Sequence, residues 1–221
     1  MCARYIYLPI LQYLKKMREL QDYEINKDQF NYENWNVAPR QQIVAIANRQ
    51  SPGLDQFTFG ITPTFNEKLL LFNAREDKIL SGKGYWQRFK NNRCLIFASG
   101  FYEWSGPKTN RQPYFFNVAE QEVFAFAGLW HSVEVDGQER KMATIITTTP
   151  NEMLEPLHDR MPVILARNAW MDWIQEEKME LPEIGDFLKP FPAEQMSFHP
   201  VAKDVGNVAN NRPELIEAIE L

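Results

Sequence analysis

The 221-residue sequence has few of the cysteines and histidines from which disulfide frameworks and zinc sites are built, and it has no long apolar run. It has only 2 cysteines and 3 histidines. Cys2 and Cys94 are far apart in sequence and predict neither a disulfide framework nor a metal-ligand cluster, which favours a reducing compartment. No apolar run approaches the roughly 20 residues that span a bilayer, and the first residues lack the basic-then-apolar order of a secretion signal. We therefore expect a cytoplasmic protein with no metal, no cofactor and no membrane partner.

An excess of positive charge is also absent, since the formal net charge is -5 at pH 7. This balance argues against indiscriminate binding to nucleic acid, which usually leaves a basic footprint over a whole domain. It does not exclude a local groove. Residues 82–93 combine four basic side chains with three aromatic ones, a composition that can contact phosphates and bases. The favoured interpretation of this segment is nevertheless a surface helix with an aromatic inner face.

The middle of the sequence consists mainly of short apolar runs rich in β-branched and aromatic residues. They cover 41–49, 68–75, 93–104, 112–119, 123–135, 141–149 and 160–166. Turn-forming residues separate them: Asp136-Gly137 is typical of a hairpin, and 105–113 of a longer loop between neighbouring strands. Helical patterns occur at 8–20, 167–178 and 211–221. With 44% hydrophobic residues, the chain predicts an α+β fold. We expect one domain over 1–221, with a largely antiparallel, barrel-like β core flanked by helices.

Cys2 is the residue with the most distinctive chemistry. Removal of Met1 would leave it with a free α-amine and a free thiol on adjacent carbons, and such a 1,2-aminothiol condenses with aldehydes. The amine forms a Schiff base, and the thiol then adds to the imine carbon to close a five-membered thiazolidine. The α-amine has an ordinary pKa of about 7.7–8.0, so part of it is neutral at physiological pH. The alternative is that Cys2 is only a small apolar residue of the first strand.

Aldehyde chemistry at a sugar needs a general acid, a proton shuttle and polar anchors, and three short segments supply these residue types. Asn73 and Arg75 are two apart and share one side of a strand. Glu103 lies between aromatic residues, which favours a raised pKa and hence an acid. His158 and Arg160 are again two apart, at the start of a strand. Each also has a structural interpretation: Asn73 as a strand end, Glu103 in an ion pair with an arginine, and His158 as a loop brace.

Together these segments resemble the SOS response-associated peptidase family, abbreviated SRAP. The resemblance rests on "MCARY", "NVAP", "LFNARED", "GFYEW", "AGLW", "IITT", "LHDRMPVIL" and "HPVAKDVGNVANN", in this order from Cys2 to about Asn211. It implies a protein that forms a covalent crosslink with abasic sites in single-stranded DNA and so shields the lesion from strand cleavage. It also implies a bacterial protein that acts at the nucleoid during DNA damage, with associated lyase and crosslink-reversal activities. Our expectation for the oligomeric state is a monomer.

The resemblance implies a chemical role for four residues. Cys2 would form the thiazolidine with the C1 aldehyde of the open-chain deoxyribose, and Asn73 would orient the reacting group. Glu103 would be the acid that assists ring opening. His158 would shuttle protons and help to reverse the linkage.

The resemblance also implies how DNA is held. Arg4, Arg75 and Arg160 match positions that grip phosphates around the lesion, and Phe65 would stack on a base. Two departures from the family pattern bear on this site. Ala3 stands where glycine is usual and restricts the backbone. Phe65 stands where tryptophan is common and offers less stacking area.

Two other functions stay open on the sequence alone. A cysteine hydrolase would use Cys2 as the thiolate nucleophile and His158 as the base, with Asn73 or Glu103 orienting it, and would not need a free α-amine. An amidotransferase with an N-terminal nucleophile also begins Met-Cys, but the later segments do not fit it. A non-catalytic reader of single-stranded DNA would leave Cys2 incidental. Retention of Met1 should abolish aldehyde crosslinking and leave simple DNA binding almost unchanged.

Overall fold

The computed structural model describes residues 3–8, 33–48, 53–135, 137–175 and 177–221. Cys2 and nearly all of the predicted helix at 8–20 lie outside these residues. Short strands predominate in the described part: β1 (Arg4–Tyr7), β2 (Asn34–Val37), β3 (Gln42–Ala47), β4 (Leu54–Phe59), β5 (Asn73–Arg75), β6 (Arg93–Ala98), β7 (Gly100–Ser105), β8 (Gln112–Val118), β9 (Phe124–Val135), β10 (Gln138–Thr148), β11 (Met161–Pro162), β12 (Ile164–Leu165) and β13 (Met196–Pro200). The α-helices are α1 (Glu76–Leu80), α2 (Trp170–Trp173) and α3 (Leu181–Phe187).

Five of these strands close into a barrel. Each of β10, β4, β3, β6 and β9 pairs with the next, and β9 pairs with β10 to complete the ring. The β10–β4 pair is parallel and the other pairs of the ring are antiparallel. Phe57 of β4, Ile96 of β6 and Phe126 of β9 are fully buried and belong to the main hydrophobic core. The predicted fold class, with a largely antiparallel, barrel-like β core and flanking helices, is confirmed, although the helices are few and short.

A second sheet, in the order β13-β8-β7-β1-β2, packs against the barrel. The contact is aromatic: the Tyr5 ring lies 5.7 Å from Phe59 and 5.8 Å from Phe126, centroid to centroid, with edge-to-face geometry. The chain passes from the barrel into this sheet between β6 and β7. Gly100 is required at that junction, because a Cβ atom there would lie 2.2 Å from the ring of Phe115. Strand β7 therefore enters the second sheet directly beside the barrel.

Both predicted strand connections are confirmed. Strands β9 and β10 are antiparallel with Val135 opposite Gln138, so a two-residue loop joins them, although Asp136 itself lies outside the described residues. Strands β7 and β8 are antiparallel, and the loop between them spans 106–111. Each strand pair thus follows the turn chemistry of the sequence.

The helix predicted at 211–221 is wrong. Only Pro213–Ile216 forms a short 3₁₀ turn. Beyond it, Ala218 forms an antiparallel bridge with Val201, just after β13. Backbone groups that a helix would have paired internally are bonded to the edge of the sheet instead.

Two other predicted helices are much shorter than their patterns. In 167–178, a 3₁₀ turn leads into α2, which buries Trp170 and Trp173. In 82–93, only Tyr85–Arg88 is helical, again as a 3₁₀ turn, but the expected aromatic inner face is present because Trp86 and Phe89 are buried. In the described ranges, no helix has both the length and the apolar character needed to cross a membrane.

Candidate functional site

Strand β10 brings the two segments from the barrel side of the site together. Thr147 pairs with Arg75 of the parallel strand β5 on one side and with β11 on the other. Asn73 opens β5, and both His158 and Arg160 lie just before β11. Residues separated by more than 80 positions in sequence are therefore neighbours at one end of the barrel. This placement agrees with the grouping predicted for them.

Arg160 is held inside this end of the barrel by a carboxylate that the sequence did not single out. Its Nη1 donates to Glu76 Oε1 at 3.2 Å, and its Nη2 donates to Glu76 Oε2 and to the carbonyl oxygen of Thr147. The two side chains are only 7% and 14% exposed. Burial lowers the pKa of Arg160, and the positive charge of Arg75 acts in the same direction. The family resemblance implies a phosphate contact for Arg160, which stays a prediction; in the structure its guanidinium forms a two-pronged ion pair with Glu76 that fastens α1 to β10.

Arg75, in contrast, reaches solvent. Its guanidinium forms a forked pair with Asp77, with Nε 2.9 Å from Oδ1 and Nη2 3.3 Å from Oδ2, and the side chain is 49% exposed. The hydrogen bond to Asp77 and the charge of that carboxylate raise the pKa of Arg75. Surface ion pairs of this kind are weak and exchange readily with other anions. Arg75 is therefore available to a phosphate.

His158 has a partner for either protonation state of its Nδ1 atom. The backbone N–H of Arg160 lies 3.1 Å from this nitrogen and can donate to it when it is unprotonated. Asp159 Oδ1 lies 2.9 Å away and can accept from it when it is protonated. Burial lowers the pKa of the imidazole, and the nearby Arg111 cation adds to this effect, whereas Asp159 opposes it. A ring that is neutral near pH 7 and has both a donor and an acceptor in place is suited to shuttle protons.

Glu103 lies on β7 in the second sheet, opposite Tyr114 of β8. The residue is only 2% exposed, and burial raises the pKa of its carboxyl to about 7. The charge of Arg111 opposes this shift. A carboxyl that remains largely protonated up to neutral pH is poised to donate a proton, as the sequence predicted from its aromatic neighbours.

Arg111 is a residue that the sequence interpretation missed. It is exposed in the loop before β8, and its charge acts on both Glu103 and His158. Glu103 lies on β7 of the second sheet and His158 in the loop before β11, and because the charge of Arg111 acts on both, all three residues share one neighbourhood. In the sequence, Arg111 is simply a basic residue next to the predicted strand 112–119. Such residues are too common for this position to indicate a site.

Arg4 lies on the face of the second sheet opposite to that of Glu103, because its partner on β7 is Tyr102. Its Nη1 donates to the Asn36 side chain and, at 2.9 Å, to the carbonyl of Val205, and its Nη2 donates to the carbonyl of Gly206 at 2.8 Å. The residue is 9% exposed, and its guanidinium lies 6.0 Å from the ring centre of Trp104. Burial lowers the pKa of Arg4. Arg4 thus links strand β1 to the C-terminal segment, and its phosphate contact stays a prediction.

Phe65 is the most accessible of the predicted DNA contacts. It is 67% exposed and lies edge-on to Tyr85, with the ring centres 5.5 Å apart. Tyr85 in turn contacts the buried Phe89 at 5.1 Å. A ring supported from below and open above can stack on a base.

The described residues contain no group of three or more His, Cys, Asp or Glu side chains that could hold a metal ion. The predicted nucleophile Cys2 lies outside these residues. The chemistry available at the site is therefore that of a protonated carboxyl, a neutral imidazole and nearby arginines.

Comparison with known proteins gives a consistent family. The model of the SOS response associated peptidase (SRAP) family matches residues 1–208. The abasic site processing protein YoqW of Bacillus subtilis is 35% identical over 210 residues, which cover 88% of this chain and 92% of the relative. The abasic site processing protein YedK of Escherichia coli is 29% identical over 223 residues, which cover 99% of this chain and 100% of the relative.

A solved structure has a fold similar to that of this protein. A crystal structure of a protein from Bacteroides thetaiotaomicron matches with a TM-score of 0.79 and 22% identity, over 100% of this chain and 98% of that one. At this identity the likeness concerns the fold alone. The family match, which spans nearly the whole chain, confirms the resemblance seen in the sequence: this protein belongs to the SOS response-associated peptidase family.

Proposed function

We propose that this protein processes abasic sites by forming a covalent crosslink between Cys2 and the lesion in single-stranded DNA, after removal of Met1. The names of its relatives support abasic-site processing. The 1,2-aminothiol that Cys2 would present supports the thiazolidine linkage. Shielding of the lesion would follow from the covalent nature of that linkage.

The observation that carries the proposal is the register of strand β1. Its residue Arg4 pairs with Tyr102 of the antiparallel strand β7. Continued by one residue, the same register sets Ala3 beside Glu103. Cys2 is covalently bound to Ala3, and consecutive Cα atoms are about 3.8 Å apart. In this proposal, the amino group of Cys2 reaches this buried, proton-donating carboxyl once Met1 is removed.

The chemistry balances with the loss of one water. The neutral α-amine of Cys2 attacks C1 of the open-chain deoxyribose, and the carbonyl oxygen leaves as water to give an imine. The thiolate then adds to the imine carbon, and the nitrogen takes up the proton that the thiol gave. The product has new C1–N and C1–S bonds in a five-membered ring, with no change in oxidation state.

Three side chains would serve these proton movements. Glu103, protonated near neutral pH, would donate to the ring oxygen of the closed sugar and later to the departing hydroxyl. His158 would take up and return the proton that the amine and thiol exchange, using the Nδ1 partners described above. Asn73, at the start of β5, would orient the sugar. Reversal of the crosslink and strand cleavage by β-elimination would use the same groups.

DNA would be held by contacts of two kinds. Arg75 would contact a phosphate and exchange Asp77 for it, and Phe65 would stack on a neighbouring base. Arg160 and Arg4 are buried and hydrogen-bonded within the protein. They would therefore support the DNA-binding surface from inside the protein. A protein with a negative net charge can bind a short single strand in this way, because only a few cationic side chains need to contact its phosphates.

The test is mass spectrometry of the intact protein before and after incubation with a single-stranded oligonucleotide that contains one abasic site. The expected product is a protein without Met1 whose mass increases by that of the oligonucleotide minus one water, and which survives heating without a reductant. The Cys2→Ala variant should give no such product. A variant engineered to retain Met1 should also give none.

Cys94 supplies the matched control. It is fully buried, and burial raises the pKa of its thiol, so Cys94→Ala should crosslink like the wild type. If Met1 is absent and no heat-stable adduct forms, the aldehyde mechanism is refuted. Peptide hydrolysis by the Met1-retaining variant, lost in Cys2→Ala, would instead identify the cysteine hydrolase.

A further inference from the structure

A row of side chains leads from the buried carboxyl to the edge of the second sheet. Tyr114 of β8 is the cross-strand partner of Glu103, and cross-strand partners share one face of a sheet. Phe198 of the edge strand β13 pairs with Phe116 and lies next to Tyr114, with ring centres 5.8 Å apart. Adjacent strands are about 4.8 Å apart, and Phe198 lies two residues along β13 from the position opposite Tyr114, so this row covers about 12 Å from Glu103 to Phe198.

Phe198 offers one face of its ring to solvent. The ring is stacked on Phe116 with a centre-to-centre distance of 5.2 Å and an interplanar angle of 12°. Phe116 is fully buried and therefore covers one face, while Phe198 is 40% exposed. An aromatic face fixed in this way can stack on any base, because every base has a π-face.

The rim beside this row is basic. Lys108 and Arg111 are exposed in the loop between β7 and β8, and Lys203 donates from Nζ to Asn110 in the same loop. The nearby carboxylate of Asp204 is already paired with Arg212. The charge of Arg111 extends to Glu103 and His158, which connects the rim with the candidate reaction site.

We propose that Arg111, Tyr114 and Phe198 form a second nucleotide subsite for the strand that carries the lesion. A base next to the abasic site stacks on Phe198, and its phosphate contacts Arg111. This inference rests on the proposed function, because it assumes that the sugar lies at Glu103. Phe65 and Arg75 are attached to the barrel, whereas Arg111 and Phe198 belong to the second sheet. The single strand would therefore be held by a different sheet on each side of the lesion.

The subsite is tested by equilibrium binding of oligonucleotides that carry tetrahydrofuran, an abasic-site analogue with no aldehyde precursor, so that no crosslink interferes. Three probes are compared: one with nucleotides on both sides of the lesion, and two that end at the lesion on the 5′ or the 3′ side. We expect Arg111→Ala and Phe198→Ala to weaken binding of the two-sided probe by about five- to tenfold. This penalty should vanish with one truncated probe and persist with the other.

Substitutions at Phe198 distinguish the contribution of aromatic stacking to DNA binding from that of side-chain size. Phe198→Trp should bind at least as tightly as the wild type, and Phe198→Leu should bind like Phe198→Ala because it has no π-face. Arg140→Ala, which removes an exposed arginine from the β9–β10 hairpin, is the matched control and should leave binding unchanged. Thermal unfolding of each variant shows whether it is folded at the assay temperature.

Several outcomes would overturn the subsite. A penalty that is equal for all three probes would indicate a general structural defect. Unchanged binding by both the Arg111 and Phe198 variants would refute the subsite. The edge of β13 would then be free for another ligand, such as an extended segment of a partner protein. The proposed function fails separately: a wild type that binds the analogue but forms no adduct with a true abasic site would refute crosslinking and leave the subsite standing.

Discussion

The Glu103→Gln substitution is expected to change how the stability of the protein depends on pH. Burial raises the pKa of Glu103 from its ordinary 4.5 to about 7, so the folded state favours the protonated carboxyl. At about 1.4 kcal/mol for each pKa unit, this shift corresponds to about 3 kcal/mol. The wild type should have this contribution in full below pH 4.5 and lose it as the pH rises through about 7. Glutamine remains neutral throughout and should lose nothing.

Urea unfolding of both proteins from about pH 5 to about pH 8 measures this effect. The quantity to compare is the difference between the two free energies of unfolding at each pH, because any constant effect of the substitution cancels. We expect the wild type to lose most of the 3 kcal/mol relative to Glu103→Gln over this interval, about 6–12 °C in Tm for a chain of this size. Glu155→Gln, at an exposed position, is the control for removing a surface carboxylate.

The same variant tests the proposed role of Glu103 in catalysis. Glutamine cannot donate the proton that opens the sugar ring, so crosslinking by Glu103→Gln should be slow at every pH. In the wild type the rate should fall as Glu103 ionises above about pH 7. A stability difference that does not vary with pH would refute the raised pKa, and normal crosslinking by the variant would refute the role as acid.

Three further substitutions test other parts of the structure. Arg75→Ala should weaken binding to single-stranded DNA and reduce the slope of log affinity against log salt by about one, as measured in a salt titration, and an unchanged slope would exclude a phosphate contact. Glu76→Gln leaves Arg160 buried without its carboxylate and should lower the free energy of unfolding by about 3 kcal/mol in urea; a loss near zero would show that the pair is dispensable. Gly100→Ala should cost about 2 kcal/mol by the same assay, since its methyl group collides with Phe115, and wild-type stability would show that the junction relaxes freely.

The predictions that succeeded concern local patterns. Short apolar runs rich in β-branched and aromatic residues identified most strands, and Asp136-Gly137 placed the β9–β10 hairpin correctly. The failures are of the opposite kind. The segment 211–221 has a helical pattern, yet beyond the 3₁₀ turn at Pro213–Ile216 it leaves the helical conformation and forms backbone hydrogen bonds with the end of β13 and the residue after it. A local pattern cannot reveal such a distant partner.

At the site, too, some properties could be predicted from the sequence and others depend on the fold. Glu103 among aromatic residues was predicted to be a buried acid, and its raised pKa agrees. In contrast, Arg4 and Arg160 have the same formal charge as Arg75, and nothing in the sequence says that they are buried while Arg75 is exposed. Their roles depend on carbonyl and carboxylate partners up to 202 positions away.

The sequence by itself determined the family, the β-rich architecture and the residue types at the site, because short motifs and local periodicity carry that information. Only the three-dimensional structure shows which cations face solvent, that Glu76 holds Arg160, and that the charge of Arg111 acts on both Glu103 and His158. These properties depend on burial and on distances between strands remote in sequence. Both are set by packing of the second sheet on the barrel, which no single segment encodes.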